Sequence, residues 1–99
     1  MWHIPMTAYL IERQLPGASQ LTEEDLQDLV DRSRAAAARA SRPCTWRHSY
    51  IAGDKLYCVY EADSVDVVLE HARRSGFAAH LVSAVSAVVD GHGRRTLPA

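Results

Sequence analysis

Two runs of strand-forming residues, Cys44–Ile51 and Leu56–Ala62, lie on either side of Ala52-Gly53-Asp54-Lys55. A Gly-Asp pair between alternating runs predicts a tight hairpin. A hairpin near the middle of a short chain leaves one segment before it and one after it to cover whatever apolar face it presents. Both segments read as a strand and a helix.

Upstream, Thr7–Gln14 is rich in strand formers and is closed by the turn signal Leu15-Pro16-Gly17. Thr22 is suited to cap a helix, with Glu23, Glu24 and Asp25 placing negative charge at its positive end. Leu26, Leu29, Val30, Ser33, Ala37 and Ala40 follow helical spacing and predict its buried stripe, and Pro43 ends it. Downstream, Asp63 or Ser64 caps a second helix whose buried face is expected to be Val65, Val68, Leu69 and Ala72, with a stop at Gly76. Leu81–Val89 reads as the last strand. The order is therefore β-α-β-β-α-β. Strand-helix-strand twice over, joined by a hairpin, makes a four-stranded antiparallel sheet in 4-1-3-2 order, because each right-handed crossover leaves room for one strand between its ends. This is the α+β, ferredoxin-like sandwich, with both helices on one face and the other face open. Residues 1–6 are expected to be an N-terminal extension, 7–89 the domain, and 90–99 a loose tail.

Composition narrows the function classes. With 47% hydrophobic and 23% charged residues the chain is ordinary globular material, and 99 residues make one domain. A formal net charge of −1 creates no field that would draw nucleic acid or an acidic membrane. No run is long enough to span a bilayer, and Met1-Trp2-His3-Ile4-Pro5-Met6 has no secretory pattern. Cys44 and Cys58 form neither a C-x-x-C pair nor a zinc spacing, so a reducing cytoplasm is the expected compartment.

The hairpin also sorts side chains onto faces. With Gly53-Asp54 as the loop, residues whose numbers sum to 107 lie opposite each other and share a face. Trp46, His48, Tyr50, Tyr57, Val59 and Glu61 then fall together, and suit the open face. Leu56, Cys58, Tyr60 and Ala62, with Thr45, Arg47, Ser49 and Ile51, fall on the helix side. Cys44 is placed five residues beyond the Cys58 pairing, roughly 17 Å along a strand, so the thiols are expected to be unpaired. An open face carrying this many aromatics reads as a homodimer interface, or as a pocket for a small organic molecule enclosed by two such faces. The aromatic candidates for that pocket or interface are Trp46, His48, Tyr50, Tyr57 and Tyr60, with His48 and Glu61 as its polar pair.

Two further histidines stand out. His71 falls on the flank of the second helix and is expected to be partly exposed, with Val67 well outside the buried stripe. His3 allows the terminal amine, two deprotonated amides and the imidazole to surround a Cu(II) or Ni(II) ion in a plane.

The residues assembled so far include Tyr9-Leu10-Ile11-Glu12-Arg13, Leu15-Pro16-Gly17, Ser49-Tyr50-Ile51, Tyr57-Cys58-Val59-Tyr60-Glu61-Ala62, Glu70-His71-Ala72 and Gly76-Phe77. From about Ala8 to Val89 they resemble a family of small bacterial nickel-binding-type proteins. The resemblance implies a ferredoxin-like homodimer and a divalent transition metal such as Ni(II). Glu12, Glu61 and His71 match its pattern and bear metal-capable groups, and His71 is expected to bind an ion together with Glu12 or Glu61. The chain departs from the family in having Ala78, where members commonly carry proline, and His48 is no part of the shared pattern. The competing readings are an enzyme of the dimeric α+β barrel kind, acting on a small organic molecule by cofactor-free oxygenation, cyclisation or isomerisation, and a pure interaction module. No nucleophile motif or phosphate loop favours a particular reaction.

Overall fold

The turn at Gly53-Asp54 forms as the sequence requires: Gly53 takes a φ of +60°, while no non-glycine residue has positive φ among those described. That combination is the type II′ turn, whose twist matches the strands it joins. The computed structural model describes residues 6–40, 42–75 and 81–96. Along the chain the elements are β1 (Thr7–Gln14), α1 (Glu23–Ala38), β2 (Cys44–Ala52), β3 (Lys55–Ala62), α2 (Val65–Ser75), β4 (Leu81–Ala84), β5 (Val88–Val89) and β6 (Arg95–Thr96). The main sheet runs β2-β3-β1-β4, which is the expected order read from the other edge. All its neighbours are antiparallel. The fold is the ferredoxin-like α+β sandwich.

Local chemistry explains the element ends. Thr22 and Asp25 form a reciprocal capping box, with Asp25 N–H donating to Thr22 Oγ1 at 3.1 Å and Thr22 N–H donating to Asp25 Oδ2 at 3.0 Å. The hydrogen bonds from Thr22 hold the Asp25 carboxyl below its ordinary pKa. Gly17, at φ +79°, turns the chain after β1 so that its N–H reaches Asp54 Oδ1 at 3.0 Å. Leu15 N–H donates to the Asp54 carbonyl at 2.8 Å, so the first turn and the central hairpin brace each other.

The core lies between the helices and one face of the sheet. Ile11 and Val68 are fully buried, Tyr60 is 1% exposed, and Tyr9, Leu56, Cys58, Ala62 and Val67 complete the cluster. Alternation along β3 is strict: Leu56, Cys58, Tyr60 and Ala62 are buried while Lys55, Tyr57, Val59 and Glu61 are half-buried on the other side.

Four details depart from the expected pattern. The hairpin register slips between Trp46 and His48, so that Trp46 opposes Tyr60 and not the residue on its open side. Arg47 is the extra residue of this bulge, which sits on an edge strand where one is readily accommodated. Trp46 and Cys44 consequently turn to the helix side. In α2 the buried residues are Val67, Val68, His71 and Ala72, while Val65 and Leu69 are exposed. The helix is rotated from the expected stripe because His71 finds a polar partner inside, and a histidine with a partner can be buried as readily as a valine. In α1, Ala36 is buried and Ala37 exposed, again a small rotation of the stripe. Leu81–Val89 is two strands, and the residues expected as a tail pair back as β5 with β6. Asp90 Oδ1 accepts from His92 N–H and Arg94 N–H, and Gly93 at φ +82° closes that loop. The expected stop at Gly76, the Gly76-Phe77-Ala78 segment and the Met1-Trp2-His3 site lie outside the described residues.

Candidate functional site

The open face of the sheet carries a groove of about 590 Å³ between β1, β2 and β3, bounded on one side by the segment leading into β5. Leu10, Val59 and Val88 give it apolar walls, and His48, Tyr50 and Glu61 give it polar groups. The His48 ring meets Tyr50 edge-on, with centroids 5.2 Å apart. Tyr57 pairs across the sheet with both Tyr50 and Glu12, and so shares this face. Tyr50 is 60% exposed, and Leu10, Leu81 and Val88 are exposed with it. The carboxylates of this face are engaged: Glu61 with Arg47, and Glu12 with Lys55 at 2.8 Å.

On the helix side the chemistry is interior. Tyr60 stacks against Trp46 at 6.5 Å and tilts against His71 at 4.8 Å. Its hydroxyl lies 3.2 Å from His71 Nε2 and is also hydrogen-bonded by Ser33. Burial pushes the Tyr60 hydroxyl up to about 12, so it remains protonated. Burial, and then the charge of Arg13, lowers the His71 pKa, so the imidazole is neutral at pH 7. His71 Nδ1 is buried and has no hydrogen-bond partner. A buried polar atom left in this state, donor or acceptor according to the tautomer, costs about 1–3 kcal/mol. Beside this network, Trp46 Nε1 donates to Ser49 Oγ at 2.9 Å. An inner chamber of about 190 Å³ separates α1 from the sheet, with Arg13 and Leu26 among its walls. A more open groove of about 450 Å³, bounded by α1, β2 and His71, adjoins it.

Comparison with known proteins identifies a family. The family described as "Nickel responsive protein SCO4226-like" matches residues 9–85. The chain belongs to that family. The crystal structure of SCO4226 from Streptomyces coelicolor A3(2) matches with a TM-score of 0.65 at 17% identity, covering 79% of this chain and 94% of that one. At that identity the likeness concerns the fold. No curated protein matches the chain. The span shared with the SCO4226-like family takes in both faces described above and stops before β5 and β6.

Within this SCO4226-like chain the expected ligand residues are divided by the sheet. Glu12 and Glu61 face the open side, whereas His71 is 1% exposed among the helix-side residues. The structure does not bring His71 to either carboxylate, since adjacent strand residues such as Tyr60 and Glu61 point to opposite faces. Among the described residues no group of three or more His, Cys, Asp or Glu side chains is gathered for a metal, and His3 lies outside them. His48, Tyr50 and Tyr57 stand on the open face as expected, while Trp46 and Tyr60 belong to the helix side. Arg13 was missed as a site residue. Period-two alternation with Tyr9 and Ile11 would have placed it on the core face, where it is 3% exposed. No described helix is long and apolar enough to cross a membrane.

The thiols are both free. Cys44 opposes Ala62, four residues along β3 from Cys58, which is roughly 13 Å and beyond disulfide reach. Burial raises the Cys44 pKa to about 11 and raises that of Cys58 also. Both are therefore expected to react slowly with thiol reagents in the folded protein and fully after unfolding. An intact mass lower by two hydrogens without reductant would contradict this register.

Proposed function

We propose that this chain acts as a homodimer joined through its open sheet faces, holding a divalent transition metal ion, Ni(II) or a similar ion, between the two copies. The observation that carries the reading is that His48 and Glu61 both line one apolar-walled groove, in a chain whose family is named for a response to nickel. One copy supplies one imidazole and one carboxylate there. Two copies related by a two-fold axis supply two of each, a nitrogen and oxygen set that suits a divalent ion. Glu61 would exchange Arg47 for the ion. Glu12 lies on the same face beside Lys55 and is the next available carboxylate. His71 has no part in this site, and a terminal site built on Met1, Trp2 and His3 remains the alternative location.

Untagged protein should sediment as a dimer at micromolar concentration, and Tyr50→Glu should shift it to monomer. Calorimetry should show Ni(II) binding tighter than about millimolar that weakens as pH falls, since the imidazoles must be deprotonated. Glu61→Gln should weaken binding by about tenfold or more, and His71→Ala should leave it unchanged. Binding lost on adding an N-terminal residue and insensitive to Glu61→Gln would move the ion to the terminus. A monomeric wild type would overturn the shared site. A second reading has its own support: about 590 Å³ falls within the range of small-molecule pockets, and a partner face would close it. A dimer that takes up no nickel would favour the small-molecule enzyme reading.

A further inference from the structure

We propose that the space between α1 and the helix side of the sheet is a second, independent site, which binds a small organic monocarboxylate with a compact apolar body. Its inner chamber lies on the helix side of the sheet, and its outer groove meets the open-face groove only at Arg47 and His48 on the edge strand β2.

The inner chamber and the outer groove adjoin at Val30, Ser33 and Trp46, which line both. The inner chamber is walled by Leu26, Leu29, Ile51 and Leu56. An apolar cavity of about 150 Å³ holds a benzene ring, so about 190 Å³ accepts one ring or a short branched chain. The outer groove supplies the polar end. There His71 is 1% exposed and its Nδ1 has no partner, although its Nε2 is held by Tyr60.

The chain of hydrogen bonds decides what that end recognises. Because Ser33 also bonds the Tyr60 oxygen, we take the tautomer in which the Tyr60 hydroxyl donates to Nε2 and the imidazole proton is on Nδ1. The group presented is thus a donor, and its complement is an acceptor. Charge selects among acceptors. Arg13 lines the inner chamber and Arg34 the outer groove, while no Asp or Glu is among the described residues lining either. An anionic oxygen is favoured over a neutral carbonyl in such surroundings. One buried donor suits a monocarboxylate better than a dianionic phosphate, which needs several.

Trp46 stands at the junction and reports directly. With Trp2→Phe as the background, Trp46 is the sole tryptophan. Titration with 3-phenylpropionate should give a saturable change in its fluorescence, with 3-phenylpropanol binding about tenfold more weakly or worse. Val30→Phe, which fills the shared boundary, should weaken the acid by about tenfold or more while the circular dichroism is retained. His71→Phe should remove the preference for the acid over the alcohol. The proposal is overturned by the absence of saturation at about 10 mM acid, by equal affinity for acid and alcohol in the wild type, or by undiminished binding in Val30→Phe. Should His71→Phe fail to fold, the Val30→Phe arm and the acid-alcohol comparison still decide the matter.

Discussion

Tyr60→Ala is expected to cost the domain about 3–5 kcal/mol, the range for truncating a large buried aromatic. Tyr60 is 1% exposed and joins three layers of contact: Trp46 on β2, His71 on α2 and Ser33 on α1. Small domains are stable by only about 5–15 kcal/mol in all, so this one truncation should leave a substantial unfolded population. Tyr60→Phe separates packing from polarity. It keeps the ring and removes the hydroxyl, leaving His71 Nε2 without its partner, at an expected loss of about 1–3 kcal/mol. Urea unfolding at neutral pH measures both, through a lower midpoint at unchanged slope. A Tyr60→Ala protein within about 1 kcal/mol of the wild type would mean that the layer is not packed as described.

The architecture was legible because its strongest signals are local. Gly53-Asp54 fixes a hairpin, Thr22 starts a helix, and the crossover rule then leaves one economical strand order. The open face was legible for the same reason. From His48 to Ala52 the register obeys the predicted sum, so His48, Tyr50, Tyr57 and Glu61 fall where the sequence places them. Trp46 does not, because one bulged residue at Arg47 reverses every side chain beyond it. Nothing in the Trp46-Arg47-His48 run announces a bulge. The rotation of α2 was hidden by a different ambiguity. Val65, Val67, Val68 and Leu69 supply two overlapping stripes, and hydropathy prefers the one without His71. Only the hydroxyl of Tyr60, brought from another element, settles which stripe is buried. The helix-side site was obscured by the same two features, since it is made of Trp46 after the bulge and His71 after the rotation.

The second large effect is a loss of stability in acid that belongs to His71. Its folded pKa is lowered, first by burial and then by Arg13, relative to an unfolded histidine near 6.5. The unfolded chain therefore binds a proton that the folded chain refuses over the interval between the two values. Stability is full above about pH 6.5 and falls as pH drops toward the folded pKa, with a limiting slope of about 1.4 kcal/mol per pH unit for one proton. The surroundings reinforce the sign. Among the described residues, the groups around the imidazole and its groove are Arg13 from β1, Tyr60 from β3, Arg34 from α1, and Cys44, Arg47 and His48 from β2, and none is a carboxylate that would favour imidazolium. Urea midpoints between about pH 7.5 and about pH 5 should therefore decline in the wild type. His71→Phe retains a ring in the same space and cannot titrate, so its profile should be flatter over that interval, even though its stability at neutral pH is lower for want of the Tyr60 hydrogen bond. The other histidines and the carboxylates are common to both proteins, which makes the difference between the two profiles specific to His71. Parallel profiles would show that His71 takes up its proton in the folded state without penalty, which would contradict its burial away from any carboxylate.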